Sequence, residues 1–448
     1  MAGKKIQAQL TPEEKLQQAL VPEAEQSYKI PANWCWTRLG NVTNIIMGQS
    51  PNGGSITENE KDTPLIGGAA DMGEKYPEIK RYTNKPTKIS SDEDLIICVR
   101  ATLGKPIFSD GRYCLGRGVA AIRPLVGSRK LYKYFFLNFE QYLFDNATGT
   151  TFAQVNSNIL QKMPLALPPL AEQQRIVERI ESLFAKLDEA KENLQNVLDG
   201  FETRKAAILH KAFTGELTAN WRKQHGVTMD SWEEKRLGEV CKINPSKINT
   251  KNLSDDLEVS FFPMASLSEI TGEIVDPEIR TLGKVKNGFT NFSEGDVVFA
   301  KITPCMENGK SAIIGKLIND IGYGTTEFYV LRCGEELSNK YLHHIVRSKK
   351  FRDEAKQNMT GAVGQQRVPK KYMEDYMLNL PTFSEQTEIV RIIDDLLAKE
   401  QQAKELAENA LAKIELIKKS ILARAFRGEL GTNNPADEPA VELLKRVL

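Results

Sequence analysis

Four histidines serve 448 residues. Two of them, His343-His344, are adjacent on a stretch with helical periodicity, and the set is too sparse and badly spaced for a metal site. The six cysteines, at 35, 98, 114, 241, 305 and 333, form no C-x-x-C pair. They read as buried thiols of a reducing cytoplasm rather than a disulfide framework. No run approaches the roughly 20 apolar residues of a membrane span. The opening MAGKKIQAQL lacks the apolar core of a secretion signal, so a cytoplasmic location with no membrane partner is expected. There is no G-x-x-x-x-G-K-[ST] for a nucleotide. There is no [DN]-P-P-[YF] of an amino-methylating enzyme either; Pro168-Pro169 sit between leucines. Glu78-Ile79-Lys80, with Asp71 upstream, fits the E-x-K of a metal-dependent nuclease, a fit that chance supplies readily in a chain 27% charged. No catalytic residue, metal or cofactor is therefore assigned to this chain.

Strong basicity is missing too. Net charge is +1. Residues 31–165 carry 16 Lys+Arg against 12 Asp+Glu, so +4, and residues 221–379 carry 23 against 22, so +1. Residues 166–220 carry 7 against 9 and residues 380–448 carry 10 against 12, each −2. The excess positive charge lies in the intervening segments, which is a weak nucleic-acid signal. Length allows two or three domains, and 41% hydrophobic content is ordinary for a soluble globular chain.

What the chain does have is a repeat. Residues 167–217 return as residues 380–430 at a constant offset of 213, without a gap. Glu172-Gln173 returns as Glu385-Gln386, Ile176-Val177 as Ile389-Val390, and AFTGEL as AFRGEL. In the first copy apolar residues fall at Ile176, Ile180, Leu183, Leu187, Ala190, Leu194, Val197 and Phe201, a heptad seam. The second runs through Ile389, Ile393, Leu396, Ala403, Ala407, Ala410, Ile414, Ile417 and Ile421, broken only by Glu400. Pro168-Pro169 and Pro381 precede the helix starts, and Gly215 and Gly428 follow the helix ends. The first copy, from 171 to 213, predicts roughly 65 Å of helix at about 1.5 Å per residue. The two copies are each other's obvious partner. Antiparallel pairing with position numbers adding to about 597 sets Leu187 against Ala410, Ala190 against Ala407 and Leu194 against Ala403. Two independent amphipathic helices are the plainer alternative.

Residues 1–30 read as a helical arm, with a capping box at Thr11-Pro12-Glu13-Glu14. Residues 31–166 and 221–379 share a plan. Trp34-x-x-x-Arg38-Leu39-Gly40-x-Val42 returns as Trp232-x-x-x-Arg236-Leu237-Gly238-x-Val240. Asp94 and Asp296 each open a β-type run. Helices are expected at 131–144 and 340–351, each followed by a polar loop. The helical stretches occupy 167–220 and 380–431. In the tail, 432–448, TNNPADEP reads as a disordered hinge before a short helix, AVELLKRVL. The fold class is α+β: two α+β domains separated by two long antiparallel helices (a coiled coil), in a pseudo-two-fold internal repeat.

The loops ahead of the long helices hold Thr148-Gly149-Thr150-Thr151 with Gln154, and Thr360-Gly361 with Gln365-Gln366-Arg367. Thr and Gln side chains read base edges, and Arg takes phosphate or guanine; an ordinary solvated connector is the bland reading.

MGQSP, PLIGGAADM, DLIICVRATLGK and LGRGVAAIRP resemble one class of target recognition domain, and FFPMASLSE, EGDVVFAKITPCMENGK and GTTEFYVLR another. With the two constant stretches, nearly the whole chain resembles the specificity (S) subunit of Type I restriction-modification systems. The resemblance implies a non-catalytic subunit whose two domains each read one half of a bipartite site on double-stranded DNA. It implies two modification (methyltransferase) subunits and restriction (endonuclease/translocase) subunits as partners, with S-adenosylmethionine, ATP and Mg belonging to them. DNA contacts are expected at Gln49, Ser50, Arg100, Lys105, Arg117, Thr150, Thr151 and Gln154 in the first domain. In the second they are expected at Lys301, Thr303, Lys310, Thr325, Thr326, Gln365, Gln366 and Arg367, with Lys301 and Lys310 on phosphates. Two other classes compete: a non-DNA coiled-coil scaffold, and a stand-alone nuclease or methyltransferase.

Overall fold

The computed structural model describes residues 11–149 and 152–448; Thr150 and Thr151, two of the expected DNA contacts, lie outside them. The chain forms two compact units, one of residues 1–194 with 409–448, the other of residues 195–408. Both mix helix and sheet.

In the first unit an antiparallel sheet orders strands Thr43–Met47, Val119–Pro124, Leu95–Arg100 and Thr102–Phe108. A second sheet orders Ile56–Thr57, Tyr82–Thr83, Thr63–Ile66 and Cys114–Leu115, the last pair parallel. Leu95, Ile97 and Val99 point into the main core while Ile96 and Cys98 point into a smaller one. The strand is buried on both faces, which is why it reads as a continuous apolar run. Strand Cys35–Arg38 pairs with Pro164–Leu167 and hands the chain to the first long helix, Leu170–Asp199. The helix Pro12–Ala19 starts at the Thr11 capping box, as its sequence predicts.

The second unit repeats this plan. One sheet orders Cys241–Ile243, Phe328–Cys333, Val297–Ala300 and Ser311–Ile313. The other orders Glu278–Thr281, Glu258–Phe262, Gly322–Gly324 and Thr290–Phe292. Strand Glu233–Arg236 pairs with Met377–Leu380, ahead of the second long helix, Phe383–Phe426.

Two repeated pairs explain motifs the sequence only flagged. Asp94 is fully buried and takes two hydrogen bonds from Arg123 (2.7 and 3.0 Å) and one from the Ser91 amide. Asp296 does the same with Arg332 (2.7 and 2.7 Å) and the Ser293 amide. The aspartates' hydrogen bonds hold both arginines' pKa values above the ordinary guanidinium range. Glu172, buried at the start of the first long helix, accepts from Trp34 Nε1 (2.7 Å), Asn433 (2.8 Å) and Thr432 (3.0 Å). Glu385 accepts from Trp232 Nε1 (3.0 Å), Thr218 (2.7 Å) and Arg222. Each repeated glutamate thus ties a helix start to its domain's tryptophan and to the segment that follows the other long helix.

Several expectations need correction. The first long helix is divided at Gly200, continuing as Phe201–Phe213. Its backbone ladder is kept, Gly200 donating to Asn196 and Arg204 to Gly200. The helix expected at 131–144 is Arg129–Asn138 and Glu140–Asp145, bent where Phe139 leaves helical geometry. That expected at 340–351 is Asn339–Arg347 and Lys349–Gln357, the second piece capped by Ser348. The pairing register is also different. In the first unit Asp188 faces Lys418 and Lys191 faces Glu415, numbers adding to 606. In the second unit Arg204 faces Glu400 at 2.8 Å, adding to 604. Glu400, the odd residue of the seam, is thereby satisfied. Ala403 and Ile417, expected in the seam, are exposed, while Leu422 and Ala425 are buried. The tail is no disordered hinge: Asn33 accepts from Ala440 (2.9 Å), Asp437 pairs with Arg175, and Leu443 and Leu444 enter the first unit's core.

Candidate nucleic-acid interface

In the first unit one exposed region is assembled from four loops. Strand Leu95–Arg100 ends at a tight turn, Ala101 adopting φ 61. Residues on either side of 150 and 151 close beside it: Thr148 and Gln154 exchange backbone hydrogen bonds at 2.8 Å, and Ala101 donates to the Ala153 carbonyl at 2.9 Å. Gly67 and Gly118 allow two further loops to touch. A Cβ on Gly118 would stand 2.3 Å from the Gly67 carbonyl oxygen, so no other residue fits without movement. The result is a cavity of about 630 Å³ lined by Arg100, Arg117, Phe152 and Gln154 over a floor of small residues. The Ser50 hydroxyl accepts from the Arg117 amide (3.2 Å), and Gln49 donates to the Leu115 carbonyl (2.8 Å). Gln49, Ser50, Arg100, Arg117 and Gln154, read from distant stretches, therefore belong to one neighbourhood. Lys105 is committed elsewhere: its ammonium donates to the Met72 carbonyl at 2.7 Å.

In the second unit the corresponding loop closes between Thr360 and Arg367, and Val368 donates to the Lys301 carbonyl (2.9 Å). Thr303 and Gln366 are joined through backbone and hydroxyl, and Lys301 donates to the Glu327 carbonyl. Thr325 caps the Glu327 amide (3.3 Å). Lys301, Thr303, Thr325, Gln366 and Arg367 are thus brought together. Arg367 is already occupied, forked onto Glu327 at 2.9 and 2.7 Å. That hydrogen bond holds the Glu327 carboxyl below the usual carboxylate range. Lys301 lies over the Tyr329 ring at 5.5 Å, and Lys310 donates to the Met264 carbonyl at 3.3 Å. Thr326 and Gln365 are exposed.

Asp71, the acid of the E-x-K fit, is buried, takes the Gly67 amide at 2.7 Å and faces Arg81. Among the described residues no group of three or more His, Cys, Asp or Glu is placed to hold a metal ion. His344 is paired with Asp394 at 2.9 Å, and burial pushes His343 down to about 3. Sequence reasoning missed Phe152 and the glycine floor. The glycines G-G and G-R-G were visible, but only the fold brings Gly67 to Gly118.

Two similar α+β units therefore each present polar loops and cations at the end of one central strand. The chain belongs to the family of the Type I restriction modification DNA specificity domain, whose model matches residues 31–199 and again 229–410. It is 36% identical over 260 residues to the Type I restriction enzyme EcoEI specificity subunit of Escherichia coli, an alignment covering 49% of this chain and 43% of that one. Less than half of that relative's length is therefore matched. The EcoKI specificity subunit of Escherichia coli strain K12 is 25% identical over 443 residues, 92% of either chain. In fold, the chain is similar to the crystal structure of the HsdS subunit from Thermoanaerobacter tengcongensis. The TM-score is 0.63 at 21% identity, over 91% of this chain and all of that one.

Proposed function

We propose that this chain is the specificity subunit of a Type I restriction-modification complex. Each unit's recognition domain reads one half of a bipartite, asymmetric target on double-stranded DNA. The chain itself performs no chemistry and binds no cofactor; methylation and ATP-dependent cleavage belong to modification and restriction subunits docked on it in the cytoplasm. The observation that carries this reading is the double match of the family model to two units that share a frame but differ in their loops. MGQSP stands where the second unit has INPSK, so the half-sites should differ. The two long helices would act as an antiparallel coiled-coil spacer, a role supported by the reversed order of their two ion pairs within the first unit, Asp188 with Lys418 and Lys191 with Glu415. The weak net charge fits a subunit that shares its phosphate grip with partners, since phosphate contacts supply most non-specific affinity. Exposed Leu416 and Leu406 on the second long helix are apolar surface of the kind that interfaces cover.

The test is a domain swap. Replacing residues 31–166 by another recognition domain and mapping the methylated motif in host DNA should change one half of the target and leave the other intact. A motif unchanged in both halves, or changed in both, contradicts the assignment. A scaffold without DNA function predicts no methylation change at all.

A further inference from the structure

The two units place the same braced loop at the same point of the fold. Thr148 and Gln154 close the first, with Gly149 at φ 105; Thr360 and Arg367 close the second, with Gly361 at φ 119. Both loops are pinned to the central strand, Val155 donating to the Val99 carbonyl and Val368 to the Lys301 carbonyl, each at 2.9 Å. Within the brace the sequences differ, yet each holds one large apolar side chain in water. Phe152 is 70% exposed and Val363 99% exposed. A lone exposed apolar residue carries no meaning by itself. Here the residues that follow it, Ala153 to Val155, are pinned by backbone hydrogen bonds, and Phe152 shares its cavity with the exposed cations Arg100 and Arg117. An occupant complementary to this site is anionic outside and offers flat apolar faces within. A base step of duplex DNA has that chemistry.

We propose that Phe152 is a wedge that enters between two stacked bases of the half-site read by the first unit, with the neighbouring phosphates on Arg100 and Arg117. This rests on the DNA-reading function proposed above. Apolar side chains inserted in this way unstack one step and kink the duplex. The step most easily opened is pyrimidine–purine, so the first half-site should contain a T-A or C-A step at that point, selected by its deformability rather than by base-edge hydrogen bonds. Val363, smaller and without a ring face, props its step instead of stacking on it.

The experiment uses the full chain assembled with its modification subunits, without methyl donor. Its duplex carries the target found by methylation mapping, with 2-aminopurine at successive positions of the half-site that changes when residues 31–166 are swapped. One position should brighten several-fold on binding. Phe152→Ala should abolish that signal and weaken binding about ten- to a hundredfold, the range of losing one base-stacking aromatic; Phe152→Trp should keep both. Because Phe152 is exposed, the melting temperature of the Ala variant should match wild type. An Ala variant with wild-type brightening and affinity overturns the wedge while leaving the DNA-reading function standing. One that fails to assemble with the modification subunits overturns it in favour of a protein contact. A wild-type complex that binds no duplex removes both readings.

Discussion

Asp94 and Asp296 show how much one buried carboxylate can organise. Each is sealed from water and holds an arginine on the neighbouring strand in a fork. Asp94→Ala leaves the Ser91 amide and the partly exposed Arg123 guanidinium without their acceptor, and should cost about 1–3 kcal/mol. Denaturant unfolding with hydrogen exchange should show the loss in the first unit and leave exchange in the second unchanged. His343 gives the second unit a pH dependence. Its folded pKa lies at about 3, below the ordinary 6.5, because burial disfavours the imidazolium. The unfolded chain therefore binds the proton first, and stability must fall as pH drops from about 6.5 towards 3, by about 2 kcal/mol at pH 5. Asp394, held low by His344, adds a further loss as pH falls through the ordinary carboxylate range. His343→Phe should flatten the slope of melting temperature against pH between 5 and 7; an unaltered slope contradicts the assignment. At the proposed interface, Gln154→Ala should relax one target position by about 1–3 kcal/mol. Lys301→Ala should weaken binding to all sequences and lower the salt slope by about one. Residue types were legible here, but partners were not: nothing in the sequence says that Arg367 is bound to Glu327 or that Lys105 is turned onto a carbonyl.

Among the elements, the helices were the most legible, because repeat, seam and caps agree. Their register was not. Heptad seams look alike after a slide of seven residues, and the sequence-based pairing falls seven to nine short of the ion pairs seen within the units. What selects the register lies outside the seam. Phe426, at the end of the second long helix, is buried edge-on against Phe135 at 5.7 Å, and Phe213 meets Tyr341 in the same way at 5.6 Å. The C-terminal end of each long helix is thus anchored by an aromatic contact within its own unit, and such anchors can fix a register that the seam leaves open. Phe426→Ala should therefore cost about 3–5 kcal/mol, read as a lower melting temperature of the first unit. A variant that melts like wild type shows that the seam alone sets the register.

For the whole molecule, the proposed function makes the helices a ruler. Inserting about one turn, four residues or roughly 6 Å, after Lys191 and the matching turn before Glu415 should lengthen the unread gap by one to two base pairs. Both half-sites should stay as they are. Methylation mapping decides it: a continuous motif, or a gap that ignores the paired insertion, contradicts the spacer role. The two-domain plan was legible because the frame motifs repeat. The loop-to-cavity geometry was not, since it depends on contacts between stretches some 50 residues apart.

The glutamates at the helix starts have one more consequence. Glu385 is held by Thr218, Arg222 and Trp232, all on one continuous stretch; Glu172 is held by Trp34 and by Thr432 and Asn433, from distant parts of the chain. The first unit therefore already does without the covalent connection that the second unit has. Residues 1–226 and 227–448 each contribute to both units. A backbone cut at the left-handed Gly226, where an added Cβ would meet nothing within 4 Å, should leave the molecule in one piece. The two halves, expressed as separate polypeptides, should associate, co-purify and restore the methylation motif of the intact gene.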